Sequence, residues 1–323
     1  VLLGLSPLHS HLVNHLLYAV IAVLVYACSR QMLQRLDVQG ATGMALLVAL
    51  LYITNHAANE AVLWVSGRFD LMATLFMLCF VWRFLGEETS RLHLPLLWLC
   101  YALALFSKEV ALMLLPALFF LHLLKRPEST LKTAAIPALL GDFFRTQKGL
   151  LAGLLGLTIG YFALKFAVNH NLHQYVELPN NPLADTDFYA IKLVVVTLYA
   201  YLATALTSFL TFSPAHYLTA DLLSGPGFWS RAVGAGAFLL LLGWGALKRD
   251  RRFIPWCLAL LFIFPALHVV PFTLWVGYYQ DRYTSQFLAF FLLGAVLWLP
   301  LLAPLYRRLV LAALGLVLVA NLA

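Results

Sequence analysis

The stretch NHAANEAVLWVSGRFDLMATLF (residues 55–76) places polar and charged side chains between two strongly apolar segments. Its polar and charged groups include His56, Asn59, Glu60, Arg68 and Asp70. A charged side chain at membrane depth costs about 2.5–3.5 kcal/mol on insertion scales, so such groups usually face a cavity and mark function. If the surrounding segments lie in a membrane, this stretch predicts a polar site between helices.

The composition of the whole chain indicates a membrane protein. Of its 323 residues, 63% are hydrophobic and 11% are charged, and the mean hydropathy is +0.87. Soluble domains average about 45–50% apolar and about 25% charged residues. Spans in lipid are helices or closed barrels, and the continuous run LVVVTLYAYLATAL lacks the alternation of barrel strands. We therefore expect an all-α, polytopic transmembrane helix bundle that forms a single domain over residues 1–323.

The apolar runs predict about ten or eleven membrane helices, since a span needs about 20 mostly apolar residues. The expected ranges are 9–29, 41–55, 70–85 (with an entrance that starts earlier), 94–106, 110–124, 150–168, 190–210, 232–247, 253–274, 284–303 and 308–323.

Lysine and arginine concentrate in the loops after the first, third, fifth, eighth and tenth expected spans, as in KRDRR (248–252). Such loops face the cytoplasm, which accounts for the net charge of +7 without a nucleic-acid partner. A single crossing by 190–210 would put KRDRR on the wrong side. Either 190–210 is re-entrant or surface-lying, or 210–231 contributes another pass.

With this topology, most ionisable groups at the membrane edge fall on the external side. They are His9, His11, Glu60, Arg68, Asp70, Lys108, Glu109, Asp281 and Arg282. Their grouping predicts one wet, charged cavity that opens outward.

Two pairs of these residues, Arg68 with Asp70 and Lys108 with Glu109, have both a structural and a functional interpretation. Arg68 could bind a phosphate bidentately or extend to lipid headgroups, while Asp70 heads the next span, where a helix N-terminus favours an acid. Lys108 and Glu109 interrupt an apolar hairpin. They could neutralise each other, or Lys108 could bind an anionic lipid phosphate at the helix break, which we favour.

The remaining polar positions give weaker signals. Asp281 and Arg282 could form a solvated loop pair, with Tyr283 in an interfacial aromatic belt. His56 and Glu60 are spaced i, i+4, but the spacing fixes no third metal ligand, so we expect no metal and no cofactor. The four cysteines are scattered singly, as small buried hydrophobes are.

Four segments of the chain carry a family resemblance. SPLHSHLVNHLLYAVIAVLVY is similar to an H-x-x-N-x-x-L-H pattern through His11 and Asn14, with Tyr18 in place of the second histidine. HAANEAVLWVSGRFDLMATLFML is similar to H-P-x-x-x-E-x-V-x-W-x-x-G-R-x-D, and LALFSKEVALMLLPALFF matches an S-K-E-x-x-x-x-x-x-P run. YYQDRYTSQF is similar to E-R-Y-x-Y-x-P, with Asp281 for the glutamate. Together these segments resemble the GT-C superfamily of glycosyltransferases, most of all the protein O-mannosyltransferases and the TMTC-like proteins.

The resemblance implies transfer of a sugar from a polyprenyl-phosphate-linked donor to an acceptor protein, lipid or glycan. It implies an integral protein of a bacterial inner membrane or of the endoplasmic reticulum, with its site facing the periplasm or lumen. Members of the family carry a catalytic acid in the first external loop, which would precede Val1. We therefore expect the chain to lack its first helix and first external loop, and Glu60 and Asp70 are the fallback candidates for the acid.

The same resemblance implies roles for the other groups. Lys108 and Arg282 would stabilise the negative charge on the leaving lipid phosphate, and Arg68 would help to order the cavity. Glu109 and Asp281 would orient the two cations. The pocket for sugar or acceptor would be lined by Tyr283 and His56.

Two rival functions remain. A non-catalytic subunit of a membrane complex would keep the fold and lack the acid. A secondary transporter would show repeated halves with matching broken helices, and no such symmetry is seen in the sequence.

Overall fold

The computed structural model describes residues 7–86, 91–168, 189–209, 216–217, 225–267, 278–279 and 283–322. Their helices are α1 (Pro7–Arg35), α2 (Ala41–Thr54), α3 (Asn59–Leu63), α4 (Arg68–Leu85), α5 (His93–Ser107), α6 (Leu114–Lys125), α7 (Glu128–Thr133), α8 (Ile136–Val168), α9 (Tyr189–Thr207), α10 (Gly225–Lys248), α11 (Ile254–Ile263), α12 (Thr284–Val296) and α13 (Pro304–Leu322). Strand pairing in these residues is limited to an antiparallel ladder of β1 (His216–Tyr217) with β2 (Tyr278–Tyr279). The predicted helical class is confirmed.

Four helical segments of the described chain are long and apolar enough to cross a membrane: Leu8–Arg35, Val65–Leu85, Ile136–Val168 and Gly225–Lys248. A pair bent by 55°, Ala41–Thr54 with His56–Leu63, raises the number to five. The second segment starts before residue 70, as expected for its entrance.

Each of the eleven expected ranges contains a helix, but several helices are short. α6, α11 and α12 have 12, 10 and 13 residues. At about 1.5 Å per residue they extend about 15–20 Å, whereas the hydrocarbon core is about 30 Å thick. By length and composition the described chain has four to five candidate spans.

The helix α8 begins at Ile136, well before the expected start at residue 150. The added turns contain Arg145, Gln147 and Lys148, which are good helix formers although they are polar. Because these turns are polar, they do not belong to an apolar run, which is the feature that predicted the other spans. Further along, a Cβ at Gly153 would lie 2.1 Å from the Trp98 ring, so glycine allows α8 to approach α5 closely.

The helix α12 forms the centre of the bundle, since its residues from Thr284 to Leu293 are all buried. It packs on α11, α2 and α4, and α1 packs on α4 and α2. The helices α8 and α10 lie at the periphery and direct large apolar side chains outward, such as Ile159 (69% exposed) and Leu240 (77% exposed). Such outward apolar surface suits contact with lipid.

Basic side chains gather at one end of the bundle, where they bind backbone carbonyls. Arg35 Nε donates to Leu85 O (3.1 Å), and Arg249 Nη1 donates to Leu131 O (3.0 Å). Arg251 Nη2 donates to Arg35 O and to Leu124 O at 2.7 and 2.6 Å. We call this the basic end. The loops that the sequence predicts to share one side thus meet there.

The opposite end, called the polar end, is defined by Asn14, Arg68, Asp70, Lys108 and Glu109, whose contacts are given below. Since α10 finishes at the basic end, its start lies toward the polar end.

The helix α9 has neighbours toward the polar end at both of its termini. Near its start, Lys192 Nζ lies 5.9 Å from the centroid of the Phe228 ring, in the first turn of α10. Just past its end, Ser208 O accepts a bond from the backbone N–H of His56 at 3.0 Å. These contacts fit the re-entrant or surface-lying alternative for 190–210. The rival extra pass over 210–231 lies partly outside the described residues.

Candidate functional site

The side chain of Arg68 ties the start of α4 to α1. Its Nε donates to Asn14 Oδ1 (3.2 Å), and its Nη2 donates to Ser10 O (3.1 Å). Asn14 is fully buried and donates in turn to Val62 O and Trp64 O at 3.1 and 3.0 Å. The sequence predicts that Arg68 helps to order the cavity. In the structure it does so by holding α1 and the start of α4 together, and these two helix segments form one wall of the site.

A glycine lets the short helices of this wall pack closely. A Cβ added to Gly67 would lie 2.3 Å from the backbone oxygen of Ala61, a distance that Cβ atoms do not adopt. Gly67 directly precedes α4 and follows a 3-10 turn, Val65–Gly67. The glycine of the G-R-x-D pattern is thus required by backbone packing immediately beside Arg68.

The centre of the site is an ion pair between Asp70 and Lys108. Lys108 Nζ contacts Asp70 Oδ1, and the side chains of Lys108 and Asp70 are 21% and 5% exposed. The ammonium also lies 4.1 Å from the centroid of the Tyr283 ring, a cation–π distance. Asp70 lies in the first turn of α4, where the helix macrodipole further favours its negative charge.

Helix α12 completes the surroundings of the pair. Gln286 is buried, and its Nε2 donates to Asp70 Oδ1 at 3.3 Å. Below it, the Oγ atoms of Thr74 and Ser285 are 3.4 Å apart, and Tyr52 OH donates to Ser285 O at 3.1 Å. Hydrogen bonds thus connect α2, α4 and α12 beneath the pair and hold Asp70 in one position.

Glu109 is not the residue that pairs with Lys108, as the less favoured structural interpretation and the orienting role implied by the resemblance would have it. Glu109 Oε1 accepts hydrogen bonds from Lys165 Nζ (2.5 Å) and Tyr161 OH (2.8 Å), both on α8. Lys108 is the last extended residue before a 3-10 turn that begins at Glu109, so the two consecutive side chains diverge. Burial raises the pKa of Glu109, but the bonds from Lys165 and Tyr161 outweigh burial and lower it overall. Asp70, 38 residues away in the chain, orients Lys108 instead.

His56 and Glu60 lie beside this cluster on separate short elements. His56 begins a 3-10 turn, and Glu60 lies in the first turn of α3. Asn55 fixes the turn, since its Oδ1 accepts from Ala57 N at 2.9 Å and its Nδ2 donates to Ala205 O at 3.0 Å. In the described part of the chain, no group of three His, Cys, Asp or Glu side chains has a metal-binding arrangement.

Asp281 and Arg282 lie outside the described residues. Their neighbour Tyr283 is described, and it contacts Lys108. Of the predicted site residues, the structure therefore brings together Asp70, Lys108 and Tyr283, with Arg68 on the adjoining wall. Glu109 follows Lys108 directly and bonds to α8.

In this arrangement Lys108 is well placed to donate a hydrogen bond to a ligand, whereas Asp70 is poorly placed to act as a base. An ammonium has three N–H groups; Lys108 directs one to Asp70 and remains partly exposed. Asp70 is enclosed by Lys108 and Gln286, so it has little access to an acceptor hydroxyl, which a general base must reach. The geometry supports a positioning role for Asp70 rather than the fallback role of catalytic acid.

Sequence reasoning missed Gln286 as part of the site, and it missed Lys165 and Tyr161 as the partners of Glu109. Gln286 had a usable signal, since it is an amide within the otherwise apolar run QFLAFFLLGAV. Lys165 also stands out as the lone charge in the expected span 150–168, but the sequence does not say that it and Tyr161 bond to Glu109, because that contact depends on the packing of α8.

Comparison of the chain with protein-family models, with curated proteins and with solved structures finds no match. The site and its chemistry are therefore the basis for assigning a function.

Proposed function

We propose that the chain is the membrane domain of a GT-C-type glycosyltransferase. The enzyme transfers a sugar from a polyprenyl-phosphate-linked donor to an acceptor protein, lipid or glycan. The domain is a bundle of ten or eleven membrane helices, with the shorter helices joined to neighbouring turns to complete their crossings. It lies in a bacterial inner membrane or in the endoplasmic reticulum, and its polar end faces the periplasm or lumen.

The geometry of Lys108 is the observation that carries this proposal. Its ammonium is fixed at the polar end by Asp70 and by the ring of Tyr283, and it keeps donor capacity toward the exterior. A leaving lipid phosphate gains negative charge as the glycosidic bond breaks. A cation held in advance near a low-dielectric region stabilises that charge without reorganising.

The other residues support this step. Asp70 positions Lys108, and Gln286 positions Asp70. Arg282 follows as the second cation of the site, since it is adjacent in sequence to Tyr283. Arg68 holds the wall formed by α1 and α4.

The catalytic acid that activates the acceptor comes from the first external loop of the full-length protein, as the family resemblance implies. The proposed partners are the lipid-linked donor, membrane lipids and the acceptor. The mechanism requires no cofactor and no nucleic acid.

The test is sugar transfer by the full-length protein in proteoliposomes that contain labelled polyprenyl-phosphate mannose. We expect Lys108→Ala to lower the transfer rate by about 100- to 1000-fold, the cost of removing one preorganised donor. Lys108→Arg should retain part of the rate because the charge remains. The matched control is Lys165→Ala, which removes another cation at the same end and should keep the rate within about threefold of wild type.

A folding defect is separated from a catalytic one by a second variant. Asp70→Asn with Lys108→Met removes both charges at once, so neither is left buried without a partner. This double variant should fold and still lack transfer. Transfer at the wild-type rate by Lys108→Ala or by the double variant would contradict the role of the ammonium.

A second candidate is a non-catalytic subunit with the same fold. The observation that favours it is that Arg68, through Nε and Nη2, and Asp70 act as structural ties in the described residues. If the wild-type protein transfers no sugar and yet retains the lipid-linked donor during purification, this candidate replaces the enzyme.

A further inference from the structure

A cavity of about 370 Å³ opens at the basic end, away from the site described above. It lies between the turn after α1, the first residue of α7, the α10–α11 connection and the end of α12. Its charged lining residues are Asp37, Glu128, Asp250, Arg251 and Arg252. The candidate spans Leu8–Arg35 and Gly225–Lys248 both end beside it, so we expect the cavity to lie near the level of lipid headgroups.

The buried cation of this cavity is Arg251, which is 7% exposed. Its Nη2 is occupied by the carbonyls of Arg35 and Leu124, and its Nε is buried without a hydrogen-bond partner in the described residues. Burial lowers the pKa of Arg251, and the nearby carboxylates of Asp37 and Glu128 oppose that effect. The guanidinium thus has acids in its neighbourhood and no direct ion pair among the described residues.

Most of the remaining charges in the lining are already paired. Arg252 binds Asp250 through Nε at 3.0 and 3.1 Å and through Nη2 at 2.9 Å. Glu128 binds Lys132 at 2.5 Å, on the next turn of α7. Within the described chain this leaves one cation, Arg251, and one exposed carboxylate, Asp37, on the same cavity.

The backbone at Asp37 requires a short residue and not a negative charge. Its φ of 55° is left-handed, a conformation that asparagine tolerates as well as aspartate does. The charge of Asp37 is therefore available for a ligand.

We propose that this cavity binds the headgroup of a phospholipid that carries a primary ammonium beside its phosphate, as phosphatidylethanolamine does. The phosphate lies toward Arg251, and the ammonium lies toward Asp37. A ligand with both charges matches the two unpaired groups, whereas a purely anionic headgroup would leave the carboxylate unmatched. The cavity volume of about 370 Å³ is far above the roughly 10–15 Å³ that one water needs on the same measure, so there is room for such a headgroup. This inference does not depend on the proposed glycosyltransferase activity.

The test measures the lipid that stays bound to the purified full-length protein, by native mass spectrometry after equal exposure to three lipids. We expect at least fivefold more bound phosphatidylethanolamine than phosphatidylcholine or phosphatidylglycerol. Phosphatidylcholine has a quaternary ammonium without N–H donors, and phosphatidylglycerol has no cation. Equal retention of the three lipids would overturn the proposal.

Substitutions then locate the site. Asp37→Asn should lower phosphatidylethanolamine retention to the level of phosphatidylcholine, because the backbone conformation is kept and only the charge is lost. The matched control is Arg145→Gln, which changes an exposed charge outside this cavity and should leave retention unchanged. Full retention by Asp37→Asn would contradict the assignment.

Free phosphoethanolamine tests the source of the headgroup. At millimolar concentration it should displace less than a tenth of the bound lipid, because a membrane-embedded lipid is held by its chains as well. Complete displacement would assign the cavity to a soluble phosphate ligand and overturn the lipid assignment.

Discussion

The two ends of the bundle use positive charge in different ways. At the basic end, Arg35, Arg249 and Arg251 donate to backbone carbonyls around the ends of helices, where the macrodipole also favours a cation. At the polar end, Lys108 is held by a buried carboxylate and an aromatic ring. The first arrangement uses N–H groups to tie helices together, whereas Lys108 gives one N–H to Asp70, stays 21% exposed and so keeps donors for a further partner. The comparison indicates that the arginines of the basic end act mainly as structural ties around one cavity, whereas the polar end holds a cation that suits the proposed ligand.

The largest expected loss of stability comes from breaking the ion pair at the polar end. Asp70→Ala leaves Lys108 partly buried without its carboxylate, and loss of one partner of a buried pair costs about 3–5 kcal/mol. The free energy of unfolding in detergent, followed by chemical denaturation, measures this loss. The control is Glu128→Ala, whose exposed pair with Lys132 should cost about 0–1 kcal/mol. Equal losses in the two variants would remove the distinction between a buried centre and a solvated surface.

The next effect tests the basic end. Arg251→Met removes the charged hydrogen bonds to Arg35 O and Leu124 O, and it should lower the free energy of unfolding by about 1.5–3 kcal/mol. Arg252→Met is the matched control, since its pair with Asp250 is partly exposed and contributes about 0–1 kcal/mol. If Arg252→Met is the more damaging variant, the carbonyl ties do not stabilise this end.

A smaller effect tests the wall of the polar end. Gly67→Ala forces a Cβ against the Ala61 carbonyl, and overpacking of this kind costs about 1–3 kcal/mol. Gly141→Ala, in the open part of α8 with nothing within 4 Å of the new Cβ, should stabilise the protein by about 0.5–1 kcal/mol. Thermal unfolding of the two variants checks the opposite signs. A neutral Gly67→Ala would show that the wall packs less tightly than described.

The smallest effect concerns pH. The pKa of Glu109 is below its ordinary value of 4.5 in the folded protein. Its stabilising contribution is therefore complete above pH 4.5 and is lost as the pH falls through the lowered pKa. Glu109→Gln should flatten the acid dependence of the unfolding midpoint, and Lys165→Gln should reduce that dependence in the same direction. If the unfolding midpoint of both variants falls at low pH as steeply as that of the wild type, the pairing of Glu109 with α8 is contradicted.

The helices were predictable because long apolar runs report burial or lipid contact directly. A helix appears in every expected range, and the polar groups and the basic loops separate to opposite ends. The early start of α8 was missed because the polar residues of its first turns, such as Asp142 and Arg145, interrupt the apolar run.

The sequence predicted several residues of the site, but it did not predict which residues they pair with. Adjacency in sequence suggested a pair of Lys108 with Glu109, whereas packing pairs Lys108 with Asp70 and Glu109 with Lys165. These partners are 38 and 56 residues apart. Such contacts depend on how α4, α5 and α8 pack, and helical periodicity carries no information about that.

The central claim is that the two ends face opposite sides of the membrane, with the polar end outside. The direct measurement is labelling of single cysteines in sealed, right-side-out vesicles with an impermeant maleimide, after Cys28, Cys79, Cys100 and Cys257 are replaced. Ser66→Cys reports the polar end and Gln39→Cys the basic end, since both positions are exposed, whereas the nearby Ala58 is fully buried. We predict labelling at position 66 from outside, and labelling at position 39 only after the vesicles are opened. Labelling of both positions from the same side, or of position 39 alone from outside, would contradict the claim.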